Sequence, residues 1–340
     1  MEVSVVMATY NGERFIREQL ESLAAQTLRP CELVVSDDGS TDRTLEIVGE
    51  FAARAPFPVR VQRNAQRLGP SENFLQAARR AAGEWIAFCD QDDVWLPQKL
   101  ARIAEIVEAN PKVIFAAHRA TLIDEHGNPG AEFNEPPVDR LTVFPPLKHR
   151  LWRTPFGFTE IFRRFLIQDF PFEERPPKVT HDRWIFWLAN VTGHTAFLPD
   201  RLALYRRHQN NESQFNRGPD LKGQLADSAA HMSFENASDY ANQFAVYLSA
   251  QTAKLTGSVR ARVETGAKIY TGMARHLQRR AMIWDPKCSM VARLGSWTRL
   301  AATGGYGASQ AGGVGWRSAG KDLARLAWSL PGEGRKSGTA

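Results

Sequence analysis

Residues 86–95 read Ile-Ala-Phe-Cys-Asp-Gln-Asp-Asp-Val-Trp (IAFCDQDDVW). A short apolar run, bounded by Gly83 before it and an acidic cluster after it, predicts a buried strand that ends in Asp90, Asp92 and Asp93. Ionised carboxylates gathered within a few ångströms repel one another, and in an interior-like dielectric the repulsion is severe. A divalent cation relieves it. The stretch therefore points to a metal site at the carboxyl end of a strand, in a fold that uses strand ends as a binding rim.

The flanking sequence repeats that design. Val3–Met7, Glu32–Ser36, Val59–Gln62, Trp85–Cys89 and Val113–Ala117 are apolar, strand-like runs. Between them lie helix-spaced segments: Phe15, Ile16, Leu20 and Leu23 within residues 12–26, then Leu45, Ile47, Val48 and Phe51 after a cap at Ser40 or Thr41. Phe74, Leu75 and Ala78 follow an opening at Pro70 or Ser71, and a further helix spans Leu100–Val107. Alternating β and α units predict an α/β fold with a Rossmann-like, mostly parallel sheet covered by helices on both faces. Such sheets bind ligands beyond the carboxyl ends of their strands. Polar clusters fall there three times: Thr9-Tyr10-Asn11-Gly12, Asp37-Asp38-Gly39-Ser40 and Asp90 to Asp93.

The 340 residues suffice for one large or two modest domains, and 43% hydrophobic with 24% charged residues is ordinary for a globular chain. Cys31, Cys89 and Cys288 are widely spaced, with no CxxC or zinc-like pattern, which predicts a reduced protein without disulfides. The start lacks signal-peptide features, and no run approaches the roughly 18 apolar residues of a membrane span. A cytoplasmic protein is expected. Charge is uneven: residues 1–110 carry 12 basic against 17 acidic residues, and residues 216–340 carry 17 against 8.

Several motifs now combine. Val5 to Gly12 (VVMATYNG), Ser36 to Asp42 (SDDGSTD), Asn64 to Asn73 (NAQRLGPSEN) and Cys89 to Trp95 resemble family 2 glycosyltransferases, whose fold is called GT-A. His181-Asp182-Arg183-Trp184 and Tyr205 to Asn211 (YRRHQNN) extend the resemblance over roughly residues 2–215. The DQDDVW and HD-x-W forms are most similar to the bacterial rhamnosyltransferase-like branch, although Arg183 stands where aromatic residues are common there.

The resemblance implies a site. Asp92 would bind a divalent metal, Mn²⁺ or Mg²⁺, with His208 approaching the metal or diphosphate. Asp90 would lie near the ribose or donor sugar, Gln91 within the same nucleotide-sugar site, and Asp93 would help to position them. Asp37 or Asp38 would accept hydrogen bonds from a pyrimidine base. Thr9, Tyr10 and Asn11 would wrap base and ribose, joined by Glu13; Asn73 completes the donor set, and Arg206 or Arg207 would neutralise the diphosphate. Asp182 matches the catalytic base of an inverting transfer, tuned by His181 and Arg183. Trp95 and Trp184 would stack on acceptor sugars.

The implied activity is transfer of a sugar, rhamnose from dTDP-rhamnose first, to a glycan or lipid-linked acceptor in bacterial surface polysaccharide synthesis. UDP- or GDP-sugar transfer, or a non-catalytic sugar-nucleotide-binding protein on the same fold, are the alternatives. No nucleic-acid motif accompanies the basic pI, and no GxGxxG follows the first strand, which disfavours nucleic-acid binding and dinucleotide oxidoreduction. Beyond the catalytic domain at 1–215, a helical region at 216–302 is expected. A Gly-rich linker and a basic amphipathic tail at 303–340 follow, the latter suited to peripheral contact with the inner face of the plasma membrane.

Overall fold

The computed structural model describes residues 1–133, 138–148, 154–177, 179–209, 234–307 and 313–328. Its N-terminal part opens β1 (Val3–Thr9), α1 (Ile16–Ala24), β2 (Glu32–Asp37), α2 (Thr44–Ala52), β3 (Val59–Arg63), α3 (Pro70–Arg79) and β4 (Trp85–Cys89). There follow β5 (Val94–Trp95), α4 (Lys99–Ala109), β6 (Val113–Ile123), β7 (Pro129–Phe133), β8 (Thr142–Phe144) and β9 (Glu160–Arg163). The short α5 (Phe165–Gln168), α6 (His181–Thr192) and β10 (His194–Arg206) complete it.

The strands form one ten-stranded sheet, ordered β3-β2-β1-β4-β9-β6-β10-β5, with β7 on β6 and β8 on β10. The run β3-β2-β1-β4 is parallel throughout, as is β6 with β10. Antiparallel β9 sits between the two parallel blocks. The order reverses at β1: the chain steps outward to β3 and then returns to β4. Right-handed crossovers then place α1 and α2 on one face and α3 on the other. Adjacent side chains of β4 confirm it. Phe88 packs on Phe74 of α3 with centroids 5.2 Å apart, while Cys89 accepts a hydrogen bond from Gln19 of α1. β1, β2 and β4 are buried along nearly their whole length, as their unbroken apolar runs require.

Two strands fall in the stretch 124–150 that reads as a loop. β7 turns back on the end of β6, which runs six residues beyond the expected Ala117, and β8 pairs with the start of β10. Their hydrogen bonds come from long neighbouring strands, a tertiary supply that local pattern does not announce.

The chain divides into two compact units, Met1–Gln224 and Leu225–Ala340. Within the second, α7 (Phe234–Gln251) packs along α8 (Gly257–Trp284), and α9 (Met290–Ala302) and α10 (Trp316–Trp328) pack on α8 and on each other. Ile283, Leu300 and Leu326 form its distal core, with Trp297 and Tyr306 against it. The described part of the Gly-rich segment is packed. A Cβ on Gly305 would lie 2.5 Å from Leu300 Cδ2, and the Val314 amide donates to the Gly305 carbonyl at 2.7 Å.

The basic amphipathic segment is α10. Its buried Asp322 accepts two hydrogen bonds from Arg280 at 2.8 Å, one from Trp284 Nε1 at 2.7 Å and one from Tyr306 at 3.1 Å. Leu326 is buried, while Trp316 (76% exposed) and Leu323 (49%) face solvent; Leu330 lies outside the described residues. Among the described residues no helix is long and apolar enough to cross a membrane.

Asp322→Ala leaves the buried Arg280 guanidinium without its carboxylate. We expect it to destabilise the second unit by about 3–5 kcal/mol, seen in calorimetry as an earlier transition for that unit with the first unit's transition unmoved.

Candidate active site

The three polar clusters do meet at one rim, and side chains stitch them together. Asn11, held at a positive φ of 47°, donates its amide to Ser40 Oγ and accepts the Thr41 amide on its side-chain oxygen, each at 2.9 Å. Asparagine tolerates that left-handed backbone better than other side chains. Glu13 accepts the Arg43 amide at 3.0 Å while its own amide donates to Asp42. Gln91 clasps the Tyr10 backbone from both sides, accepting from its N–H and donating to its carbonyl at 3.0 Å each. Gly12 lies under this clasp, where a Cβ would come 2.3 Å from Gln91 Oε1.

Asp37 and Asp38 do different jobs. Asp37 is fully buried and accepts from Thr9 Oγ1 (2.9 Å), the Gly39 and Ser40 amides (3.1 and 2.9 Å) and the Ser40 hydroxyl. Its carboxylate builds the turn. Asp38, nearer the rim, accepts from Asn64 Nδ2 (3.0 Å) and from the Leu68 and Gly69 amides (2.8 and 2.7 Å), and so holds the loop that enters α3. Asn73 lies beneath, donating to the Ser36 carbonyl and accepting from the same Asn64 amide. Tyr10 is partly exposed, with the Arg67 guanidinium 3.9 Å over its ring.

At the acidic loop the protein supplies cations of its own. Arg206, almost wholly buried, donates its backbone amide to Asp93 Oδ1 and its Nε to the Asp92 carbonyl, both at 2.9 Å. Its guanidinium also pairs with Glu18 and lies 4.8 Å over the Phe15 ring. Lys99, at the first position of α4, is fully buried: its Nζ donates to the Phe158 carbonyl at 2.8 Å and lies 3.4 Å over the Trp95 ring. Burial lowers its pKa to about 7 against the opposing pull of Cys89, Asp93 and Asp90. Burial, then Asp92 and Asp182, raise Asp90 to about 7, and Asp93 is pushed well above the usual carboxylate range by burial and then by Asp92 and Asp90. A lone lysine four residues beyond the apolar Val-Trp pair carries no signal of burial in the sequence.

His208 Nε2 lies 2.7 Å from Asp92 Oδ2, with its ring 4.8 Å from Phe15. This oxygen–imidazole pair suits a hard divalent cation. Among the described residues no three His, Cys, Asp or Glu side chains gather as a ligand set. A cation here would thus take two protein ligands, with phosphate and water completing its shell, as Mg²⁺ commonly does. Asn210 and Asn211 of the same motif lie outside the described residues.

Asp182 stands in the first turn of α6, where the helix dipole favours an anion. His181 fixes that turn. Its ring stacks on Phe74 (4.4 Å, 19°) and meets Phe88 edge-on, its amide donates to Ser71 Oγ, and burial lowers its pKa. Gly157 is needed opposite, since a Cβ there would lie 2.8 Å from His181 Nε2. Asp182 lies against the same turn, 3.5 Å from where a Gly157 Cβ would stand, and its charge adds to the raised proton affinity of Asp90. Trp95 and Trp184 are both buried, so in this structure their rings are packing surfaces.

Residues 4–175 match the Glycosyl transferase family 2 profile. The uncharacterized protein Rv1520 of Mycobacterium tuberculosis is 33% identical over 217 residues, 61% of this chain but 59% of its own length, less than two thirds. An uncharacterized glycosyltransferase of Nostoc, alr2836, is 29% identical over 72% of this chain and 76% of its own. Among solved structures, S. aureus TarS 1–349 in complex with UDP-GlcNAc superposes with a TM-score of 0.53 at 20% identity, covering 91% of this chain and 93% of that one. The UDP complex gives 0.51 at 22% identity over 81% and 91%. The chain belongs to glycosyltransferase family 2, and its fold is GT-A.

Removing the Asp37 carboxylate strands four donors at once. Asp37→Ala should cost about 2–4 kcal/mol in urea denaturation, whereas Tyr10→Ala, which trims a rim side chain, should stay within about 0.5 kcal/mol of the parent.

Proposed function

We propose that this chain is an inverting glycosyltransferase that moves a sugar from a nucleotide-sugar donor to a hydroxyl of a glycan or lipid-linked acceptor. The observation that carries the reading is the packing of His181, next to Asp182 at the start of α6, against Phe88, two residues before Asp90 at the end of β4. Transfer needs a carboxylate to take the acceptor proton and a region that stabilises charge on the departing diphosphate. Asp182 takes the hydroxyl proton as that oxygen attacks the anomeric carbon; the bond to the diphosphate breaks opposite, and its electron pair leaves with the diphosphate. Mn²⁺ or Mg²⁺ at Asp92 and His208 would supply Lewis-acid stabilisation of that leaving group. The buried Arg206 adds positive potential from behind the loop.

Both base-recognition candidates are already engaged by their own loops, and Asp38, at 4% exposure against 0% for Asp37, is the one nearer the rim. Tyr10, with Arg67 over its ring, offers an aromatic face for base or ribose. The DQDDVW and HD-x-W forms favour dTDP-rhamnose as donor. A UDP-sugar is the second reading, favoured by the likeness to TarS, whose structures hold UDP and UDP-GlcNAc. The setting we propose is bacterial surface polysaccharide synthesis on the cytoplasmic side of the plasma membrane, with α10 as a peripheral contact through exposed Trp316 and Leu323 beside Arg317 and Lys321.

Asp182→Asn should lower kcat by about 10²–10⁴-fold with donor affinity unchanged, and Asp92→Ala should abolish the metal dependence of donor binding. Full turnover by Asp182→Asn would remove it from the chemistry. For the membrane contact, a Trp316→Ser, Leu323→Ser double variant keeps the Asp322 clamp intact; sedimentation with anionic vesicles should fall relative to the parent, and equal sedimentation would refute the contact.

A further inference from the structure

Glu160 is the one buried charge-bearing residue of β9 that neither the family motifs nor the site described above employs. It is 0% exposed, and both of its carboxyl oxygens are buried without a hydrogen-bond partner among the described residues. Side chains alternate along a strand, so Glu160 shares a face with Phe162. Phe162 packs 4.9 Å from Phe88, which meets the edge of His181 at 4.8 Å. On β6, Ala117 is the register partner of Glu160, and Phe115, two residues earlier, packs on Phe186 of α6 at 5.6 Å. Glu160 therefore lies on the sheet face that α6 covers, beneath the helix that carries Asp182 in its first turn.

The titratable and charged surroundings are few. From α6 come His181, Asp182 and Arg183, and from the end of β4 comes Asp90. The turn at residues 157–159 carries no charge. On β6, His118 points to the opposite face, where Lys99 acts on it, while Arg119, two residues past Ala117, returns to the Glu160 face and pairs with Asp139 at 3.2 Å. Among the described residues no cation is paired with Glu160, and an isolated buried carboxylate keeps its proton rather than its charge.

We propose that Glu160 is a positioning residue for Asp182: a carboxylic acid kept protonated beneath α6, so that Asp182 is the only anion of the two. This rests on the assignment of Asp182 as the base. Burial first and the Asp182 charge second push the Glu160 proton affinity well above the usual carboxylate range. A raised folded-state pKa has a definite sign. The stability held by the neutral acid is fully present below the usual carboxylate pKa and is lost as pH rises towards the folded value. Glu160→Gln imitates the neutral acid and cannot ionise.

The test compares wild type with E160Q. Infrared difference spectra at neutral pH should show a protonated-carboxyl C=O band in the wild type that is lost in E160Q. The thermal midpoint of the first unit in wild type should fall behind that of E160Q by about 2–5 °C for each pH unit above the usual carboxylate range. E160Q should also keep turnover at neutral pH and extend the alkaline limb of the pH profile. An unchanged infrared band, or a midpoint difference constant with pH, overturns the proposal. If E160Q does not fold, wild type labelled with ¹³C at its glutamate carboxyls reads the same proton: one resonance in the protonated range at neutral pH supports the proposal, and none overturns it. Full activity in Asp182→Asn would defeat the base assignment while leaving the infrared and thermal results to speak for Glu160 alone.

Discussion

Like-charge repulsion at the end of β4 is the constraint around which the rest of the site is arranged. Asp90, Asp92 and Asp93 are brought to one loop, and the chain answers them with cations that arrive from far along the sequence. Arg206 ends β10 and reaches under the loop to touch both Asp92 and Asp93. Lys99 begins α4 and is sealed between Trp95 and the Phe158 carbonyl. Deep burial of two basic groups would be costly in isolation; Arg206 is answered by carboxylates and a carbonyl, and burial lowers the Lys99 pKa to about 7. The opening stretch thus calls for positive charge twice over, once from the protein and once from the divalent ion that we propose.

The same contacts connect the donor side to the acceptor side. Lys99 holds the turn at Phe158, Gly157 of that turn lies against His181, and His181 anchors the start of α6 on α3. Asp182 is therefore placed by packing rather than by a capping side chain, since Thr180 makes no such bond. The rim itself is equally tied: Gln91, Asn11 and Glu13, each expected to touch the nucleotide, spend side-chain oxygens on neighbouring loops. Preorganisation of this kind lets a site meet developing charge without reorganising.

Much of this was legible in the sequence because apolar runs and turn residues coincide there. β1 to β4 and the helices between them lie within a few residues of their expected spans, and the order of motifs named the family. β7 and β8 were missed because Pro129-Gly130 and a three-residue Thr-Val-Phe run look like loop, and only the length of β6 and β10 makes them strands. Burial of single polar residues was illegible. Neither Glu160 in FTEIF nor Lys99 in PQKLA stands out by pattern, although a glutamate inside an aromatic, β-branched run is a signal of burial. Asp37, Asn73 and Arg206 were recognised as special, but sequence cannot separate a residue that touches a ligand from one that shapes the loop around it.

The rim of β1, β2 and β4 is, in our proposal, a donor site completed by a divalent ion at Asp92 and His208. The most direct measurement is titration calorimetry of the full chain with dTDP-rhamnose, UDP-GlcNAc and GDP-mannose, each with and without Mn²⁺. The account predicts saturable binding of one of them that strengthens when Mn²⁺ is present. Absence of binding to all three under both conditions, in a chain shown to be folded, would contradict it.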